Sequence, residues 1–198
     1  RSFGVMIESV NDQRRQVGKV LELAFGFEGG VNACVTAAET YSVDLVQLSE
    51  AVWGDIPGDV MERSLWMWGK FGRGSGLDKR VYLGLNSLKE LWRIAHPAHV
   101  QGWRDMKDAA IQAAQSPGRV YQIPSKKIMF KLEEDWLLMR LPSGRRIRYF
   151  KPEVTGEGRD QKLTYLGIDT DTRRWMRTGT YGGKLTENAA QGGSSDLL

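Results

Sequence analysis

A chain of 198 residues, 41% hydrophobic and 26% charged, is long enough for one globular domain or two small ones. It contains no run of about 18 apolar residues, so no transmembrane helix is predicted. Its N-terminus also lacks the apolar core of a signal peptide. Cys34 is the single cysteine, which predicts neither a disulfide framework nor a cysteine zinc cluster, and a cytoplasmic location fits.

The segment 1–116 has the periodicity of helices, with glycine and proline at the breaks. The first residue is not Met, which favours an origin within a longer protein. Apolar side chains recur on the last two predicted helices and are expected to be buried: Trp92, Trp103, Met106, Ala110 and Ala113. Helices are predicted over about 11–27, 31–41, 44–52, 59–71, 77–95 and 97–115.

The pattern changes at Pro117, where short alternating runs replace the helical period. Turn residues separate these runs, as in β-hairpins. The sequence therefore predicts an α+β fold with an N-terminal two-thirds that is mainly helical, an antiparallel sheet over about 119–178 and a closing C-terminal helix. Strands are predicted at 119–123, 127–132, 135–140, 145–150, 162–168 and 173–178.

Positive charge is concentrated in this second part. Residues 117–184 carry 15 Lys or Arg against 8 Asp or Glu, whereas residues 1–116 carry 13 against 14. Aromatic residues are interleaved with these cations, a mixture that suits nucleic acid. An antiparallel sheet with one buried aromatic face and one solvated charged face would give the same composition, so both interpretations stay open.

One stripe of the first predicted helix combines cations with apolar and aromatic residues. Arg15, Lys19, Leu23 and Phe27 recur every four residues and so share one helix face. Cations bind phosphate oxygens by charge-assisted hydrogen bonds, and a ring offers a stacking surface for a base. An ordinary helix with a solvated basic face and an apolar core face would show the same residues, so the stripe alone leaves both interpretations open.

The two histidines, His96 and His99, flank Pro97 and have no cysteine nearby. A metal site built from His residues needs further ligands at suitable spacing. We therefore interpret this pair as structural.

Four segments taken together carry a family resemblance. They are the helix from Arg15 to Gly30, the stretch 91–97 (Leu-Trp-Arg-Ile-Ala-His-Pro) with Trp103, the stretch 141–146 (Leu-Pro-Ser-Gly-Arg-Arg), and the stretch 180–191 (Thr-Tyr-Gly-Gly-Lys-Leu-Thr-Glu-Asn-Ala-Ala-Gln). In this order they resemble the bacteriophage-type branch of the family A DNA polymerases, the DNA polymerase I family. In such enzymes the region forms the fingers and the adjoining part of the palm. The resemblance implies a helical fingers region with the nucleotide-binding helix over 1–116, a basic antiparallel β insertion over 117–181 and the truncated start of a palm-linking helix over 182–198.

The resemblance also implies a binding site for the incoming deoxynucleoside triphosphate. Arg15 and Lys19 match the residues that hold its phosphates, and Phe27 matches an aromatic near the templating base pair. Leu23 stands where many relatives have a stacking aromatic, and Glu28 stands where many have glycine.

DNA contacts are expected at the basic segment and at the closing helix. Gly144-Arg145-Arg146 matches a Gly-Arg-Arg element of the family. Gln191 and Asp196 have the spacing of a segment whose Gln contacts the duplex minor groove. The expected DNA-binding residues are Lys126, Lys127, Arg145, Arg146, Arg148, Arg173, Lys184, Asn188 and Gln191.

Family A catalysis uses two metal ions held by two aspartates. In the family these lie in an Asp-x-Ser-x-Ile/Leu-Glu strand and a His-Asp-Glu turn, and neither motif occurs here. The resemblance therefore implies a fragment that has no catalytic residue, metal site or cofactor of its own and is inactive alone. Its parent would be a DNA-directed DNA polymerase, a nucleotidyltransferase that needs Mg²⁺.

The expected function is to bind the incoming deoxynucleotide and template-primer DNA during replication. The expected location is the cytoplasm of a phage-infected or prophage-bearing bacterium, with no membrane partner. An exposed palm-facing surface would favour homo-oligomers. The alternative is a free-standing, noncatalytic nucleic-acid-binding module derived from such a polymerase.

Overall fold

The computed structural model describes residues 12–169 and 172–197, which form two compact units divided between Val100 and Gln101. The predicted α+β class is confirmed, since the described residues contain helices first, then a six-stranded antiparallel sheet, then a final helix. The helices are α1 (Asp12–Phe25), α2 (Val31–Thr40), α3 (Leu45–Glu50), α4 (Gly58–Lys70), α5 (Lys79–Ala95), α6 (Pro97–Gln115) and α7 (Gly182–Ser195). The strands are β1 (Val120–Ile123), β2 (Ile128–Glu133), β3 (Trp136–Arg140), β4 (Arg146–Thr155), β5 (Lys162–Ile168) and β6 (Trp175–Thr180).

The first helix ends at Phe25, earlier than the period of its apolar residues predicts. Gly29 explains why the turn lies here, because a Cβ on Gly29 would lie 1.9 Å from the Ala24 carbonyl oxygen. Glu28 adopts a positive φ of 65° in the same turn. Phe27 was predicted on the helix face with Lys19, and this placement is wrong because Phe27 lies in the turn that follows α1.

A buried polar network joins α4 to α5 in the first unit. The Ser64 and Ser87 hydroxyls are 3.0 Å apart, and Asn86 Nδ2 donates to Ser64 Oγ at 2.9 Å. Lys89 Nζ donates to Asn86 Oδ1 at 2.7 Å and lies 3.1 Å from Glu90 Oε1. Burial lowers the pKa of Lys89, although the neighbouring Glu90 charge works in the opposite direction. A network of this kind fixes how the two helices meet, because a shift of either one would leave buried polar atoms unpaired.

The second unit is built on a sheet in which each strand pairs with the next along the chain, in the order β1 to β6. Alternate strand residues form one hydrophobic cluster with α6 and with Leu185 of α7, so these helices cover one face of the sheet. The predicted burial of Trp92, Trp103, Met106, Ala110 and Ala113 is confirmed. The cluster contains Met106, Ala109, Ala110, Ile111, Ala113, Ile123, Ile128, Phe130, Leu132, Leu137, Met139, Leu141, Tyr149, Leu163 and Leu185.

Cys34 is fully buried in α2, and burial raises the pKa of its thiol to about 12. Only the thiolate reacts readily with disulfide reagents, and burial both disfavours this charged form and blocks access to the sulfur. We therefore expect an aromatic disulfide reagent to leave the native protein unlabelled and to react completely in denaturant. Complete labelling in native buffer, at the rate of an unfolded control, would show that the first unit opens far more readily than this packing implies.

Within the described ranges, no helix combines the length and the apolar character that a membrane crossing requires.

Candidate nucleotide and nucleic-acid interface

The exposed side of α1 carries both predicted phosphate ligands. Arg15 and Lys19 are exposed, on the side of the helix away from the buried Val20, Ala24 and Phe25. In the part of the chain that the structure describes, neither cation forms an ion pair. Lys19 Nζ instead lies 4.2 Å from the centroid of the Tyr41 ring. A cation–π contact of this kind positions the ammonium and leaves its charge available to an anion.

Leu23 and Glu22 complete this side of the helix. Leu23 is 46% exposed, although leucine is among the residue types that are most often buried. The carboxylate of Glu22 is engaged by α5, because Trp92 Nε1 donates to Glu22 Oε1 at 3.2 Å and His96 Nε2 lies 3.9 Å from the same oxygen. The exposed side of α1 is therefore an open basic and apolar surface with one carboxylate that already has a partner.

The two histidines belong to an aromatic cluster on α5 and α6. His96 stacks on Trp92 with ring centroids 4.2 Å apart, and its Nδ1 lies 2.7 Å from the Trp92 carbonyl oxygen. His99 packs edge-on against both rings. These contacts give the histidines a packing role in the first unit. In the described portion of the chain, no three His, Cys, Asp or Glu side chains are grouped closely enough to hold a metal ion.

The turn after α1 is anchored by a half-buried arginine of α5. Arg93 Nη2 donates to the carbonyl oxygens of Glu28 and Gly29 at 3.3 and 3.2 Å. Phe27, which lies in this turn, is half-buried. The aromatic predicted to lie near a base pair is thus held at the end of α1 and is not aligned with its exposed face.

A cavity of about 810 Å³ lies beside α1, between α1, the α2–α3 loop, α3 and α5. Its lining includes Tyr41, Asp44 and Asp55, and none of its lining residues is Lys or Arg. The Asp44 carboxylate caps α3 by accepting from the Val46 and Gln47 amides at 2.7 and 3.0 Å. A polyphosphate would be repelled by such a lining, so phosphates are better placed on the exposed side of α1.

In the second unit, two of the sequence motifs meet. Arg145, from the turn between β3 and β4, forms an ion pair with Asp196 at the end of α7, and Ser143 of the same turn donates to the Asp196 carboxylate. Both contacts hold the pKa of Asp196 below its usual value, the Arg145 contact most strongly. Arg145 is therefore tied to the closing helix by a carboxylate.

The predicted residues on α7 also have partners within the fold. Asn188 Nδ2 donates to the buried Tyr149 hydroxyl at 3.0 Å. Lys184 Nζ lies 3.0 Å from Glu187 Oε2, and Gln191 Nε2 donates to Glu187 Oε1 at 3.1 Å. Asn188 therefore acts as an anchor for the sheet, whereas Lys184 and Gln191 form a polar group on the helix surface.

The remaining predicted cations lie in three places. Lys126 and Lys127 occupy the turn between β1 and β2, and Arg173 occupies the turn between β5 and β6. Arg146 and Arg148 lie on β4 and are exposed. The predicted DNA-binding residues thus divide between three turns, the helix α7 and the sheet face that α6 and α7 leave uncovered.

That other face, which we call the open sheet face, is where cations and aromatic rings come together. Strand register places Arg140 opposite Arg146, and Trp136 opposite Phe150. The ring centroids of Trp136 and Phe150 are 4.6 Å apart, and those of Phe150 and Trp175 are 6.4 Å apart. The open sheet face is defined by Trp136, Arg140, Arg146, Arg148, Phe150 and Trp175.

Of the residues on this face, only Arg146 and Arg148 were predicted as site residues from the sequence. The signal for the others is the period of two, because Arg146, Arg148 and Phe150 alternate with Ile147 and Tyr149 along one strand. Aromatic residues turn out to occupy both faces, since Tyr149 and Phe130 are buried in the core whereas Trp175 is 59% exposed. The aromatic residues are therefore not confined to one buried face of the sheet, and the uncovered face carries both cations and aromatic rings.

Comparison with known proteins identifies a viral relative. The chain is 32% identical over 200 residues to a DNA polymerase of Bacillus phage SP02, and the match covers 99% of this chain and 25% of that polymerase. The chain thus spans about a quarter of the length of the curated relative it matches. No family model and no solved structure matches the chain. The similarity to a phage DNA polymerase that the motifs predict is confirmed by this match.

Proposed function

We propose that this chain, which is similar over nearly its whole length to part of a phage DNA polymerase, is the fingers region of a family A DNA-directed DNA polymerase. In that role it binds the incoming deoxynucleoside triphosphate and template-primer DNA during replication. The observation that carries the proposal is the match to the phage enzyme over 99% of the chain. The cytoplasm of a phage-infected or prophage-bearing bacterium is the corresponding location.

The nucleotide is assigned to the exposed side of α1. Arg15 lies in the first turn of this helix, where the helix dipole adds to its attraction for phosphate. Lys19 follows one turn later and is exposed beside Tyr41. Two cations one turn apart can contact successive phosphates of a triphosphate, and charge-assisted hydrogen bonds make these contacts strong. Leu23, on the same exposed side, then lies towards the sugar and base, whereas Phe27 lies in the turn that follows α1.

The role proposed for these residues is to bind and orient, not to perform the chemical step. The Mg²⁺ ions of family A catalysis are held by carboxylates. Among the described residues, no group of three or more His, Cys, Asp or Glu side chains could hold a metal ion. Arg15 and Lys19 would hold the triphosphate in place while other groups bind the metal ions. Orientation of this kind contributes to the rate by fixing the reacting atoms relative to each other.

Template-primer DNA is assigned to the basic second unit. The turn cations Lys126, Lys127 and Arg173 and the helix residues Lys184 and Gln191 would contact its phosphates and groove edge. Because such binding releases counterions from DNA, its affinity should fall steeply as salt increases and should not depend on sequence.

The test is a titration of a labelled primer-template with the 198-residue chain, followed by fluorescence anisotropy at several salt concentrations. We expect a linear fall of log affinity with log salt concentration and equal affinity for two unrelated sequences. Lys127→Gln and Arg173→Gln, which each remove one charge from a turn, should each reduce the slope, whereas Arg104→Gln on the exposed side of α6 is the matched control. Absence of binding at low salt, or affinity that salt leaves unchanged, would count against DNA binding by this unit.

A further inference from the structure

We propose that the open sheet face is a binding site for single-stranded nucleic acid, with arginines on the phosphates and aromatic rings on the bases. The inference rests on the proposed DNA binding and adds to it a second, single-strand surface. Within the second unit, this surface is the sheet face opposite α6 and α7, and it does not include the turns that carry the other predicted contacts.

The arginines of this face repel one another in the free protein, and an anionic ligand would relieve that repulsion. Arg140 and Arg146 are directly opposite each other on β3 and β4, and Arg148 follows on the same side of β4. Like charges at directly opposite positions of an antiparallel pair destabilise the sheet. Among the described residues none of these three guanidinium groups has a carboxylate within ion-pair distance. An anionic ligand would remove the repulsion.

Other cations on the same face show what a structural pairing looks like. Lys131 Nζ lies 2.7 Å from Glu133 Oε1, and Arg177 Nη1 lies 3.2 Å from Glu153 Oε2. Lys131 holds the pKa of Glu133 below its usual value, and Arg146 adds a smaller effect in the same direction. The face is therefore neutralised at its margins, and its unpaired positive charge is concentrated at Arg140, Arg146 and Arg148.

The aromatic residues supply the second half of the chemistry. Trp136 and Phe150 are half-buried neighbours on adjacent strands, and Trp175 lies beside Phe150 with 59% of its surface exposed. Bases stack on such rings with little regard to sequence, because every base has a flat face. The row of aromatic rings and the neighbouring arginines together match a single nucleic-acid strand, in which bases and phosphates alternate.

Single-stranded nucleic acid fits this surface better than the other anionic partners. An acidic peptide could pair with the arginines but has no regular row of flat groups for the rings. A duplex offers phosphates, but its bases are stacked on one another and cannot stack on protein. The polymerase role makes unpaired template DNA an available ligand of this class.

The experiment is fluorescence anisotropy of a labelled oligodeoxythymidine of about 20 nucleotides with the full 198-residue chain. Trp175→Ala should weaken binding by about fivefold or more, because one stacked base is lost. Arg140→Gln and Arg148→Gln should each weaken binding and each reduce the log–log salt slope by about 0.7. Because Arg140→Gln also removes a like-charge pair, its melting temperature should be unchanged or higher.

Two matched variants control for general effects of surface change. Trp66 on α4 is 60% exposed, so Trp66→Ala removes an indole of the same exposure outside the open sheet face. Arg104→Gln removes one exposed positive charge from α6, which covers the opposite sheet face. Both should leave affinity for the oligonucleotide within twofold of the parent chain.

Equal losses in the control and test variants, or no loss in Trp175→Ala and Arg148→Gln, would overturn the assignment. So would absence of oligodeoxythymidine binding at low salt. These results are separable from failure of the proposed function, because nucleotide binding is read out at Lys19 and primer-template binding is read out with duplex DNA.

Discussion

Replacement of Lys19 by alanine is expected to raise the apparent Kd for the incoming deoxynucleoside triphosphate by about 10- to 150-fold when this segment is part of an active polymerase. The estimate follows from the loss of a hydrogen bond to a charged group, which contributes about 1.5–3 kcal/mol. Lys19 is exposed, and among the described residues it forms a cation–π contact with Tyr41 but no ion pair, so its removal should have little effect on folding. The measurement is the dNTP dependence of single-turnover primer extension.

Lys79 provides the control for Lys19. It is an exposed lysine of the same unit, at the start of α5, and the proposed nucleotide site does not include it. Lys79→Ala should leave the dNTP dependence unchanged. An unchanged dependence in Lys19→Ala as well would falsify the assignment of phosphate binding to α1.

The largest effect on stability is expected from Gly182→Ala at the start of α7. A Cβ at this position would lie 1.9 Å from the Trp103 carbonyl oxygen and 2.9 Å from the Trp103 Cα, so either α6 or α7 must move. Backbone cannot give way as the end of a flexible side chain can. We expect a loss of about 3 kcal/mol, the upper end for overpacked sites. For a chain of this size that lowers the melting temperature by about 6–12 °C.

Gly193 on the same helix is the matched comparison, because a Cβ there meets nothing within 4 Å. Alanine at Gly193 should be neutral or should stabilise α7 by up to about 1 kcal/mol, since alanine has the higher helix propensity. Thermal unfolding followed by far-UV circular dichroism compares the two variants. Equal melting temperatures for Gly182→Ala and Gly193→Ala would show that α6 and α7 do not approach each other as closely as the structure indicates.

The fold could be predicted because its periods are regular. The range predicted for β5, 162–168, is the range observed. By contrast, β4 was expected to end at 150 and continues to Thr155. The register shifts between Phe150 and Glu153, and Lys151 adopts a φ of 45°. This bulge lets the strand continue past Pro152, which has no amide hydrogen to donate.

The candidate site could be predicted less completely than the fold. The shared helix face of Arg15 and Lys19 could be predicted, because residues four apart in the sequence lie on the same side of a helix. The exposure of the open sheet face could not be predicted, because strand alternation shows which residues share a face but not which face α6 and α7 cover. Arg145 also shows the limit of motif reading, since its partner Asp196 lies far along the chain. Sequence places both residues in motifs but does not show that they neutralise each other.

The central claim, that the exposed side of α1 binds the triphosphate of a deoxynucleotide, is tested most directly by nuclear magnetic resonance on the isotopically labelled chain. Deoxynucleoside triphosphate is titrated with Mg²⁺, and inorganic tripolyphosphate serves as a probe for the phosphate contacts alone. If α1 binds the triphosphate, the largest amide shifts occur at Arg15 to Phe27, and Lys19→Ala removes most of them. Shifts confined to the second unit, or to the cavity lined by Asp44 and Asp55, would contradict it.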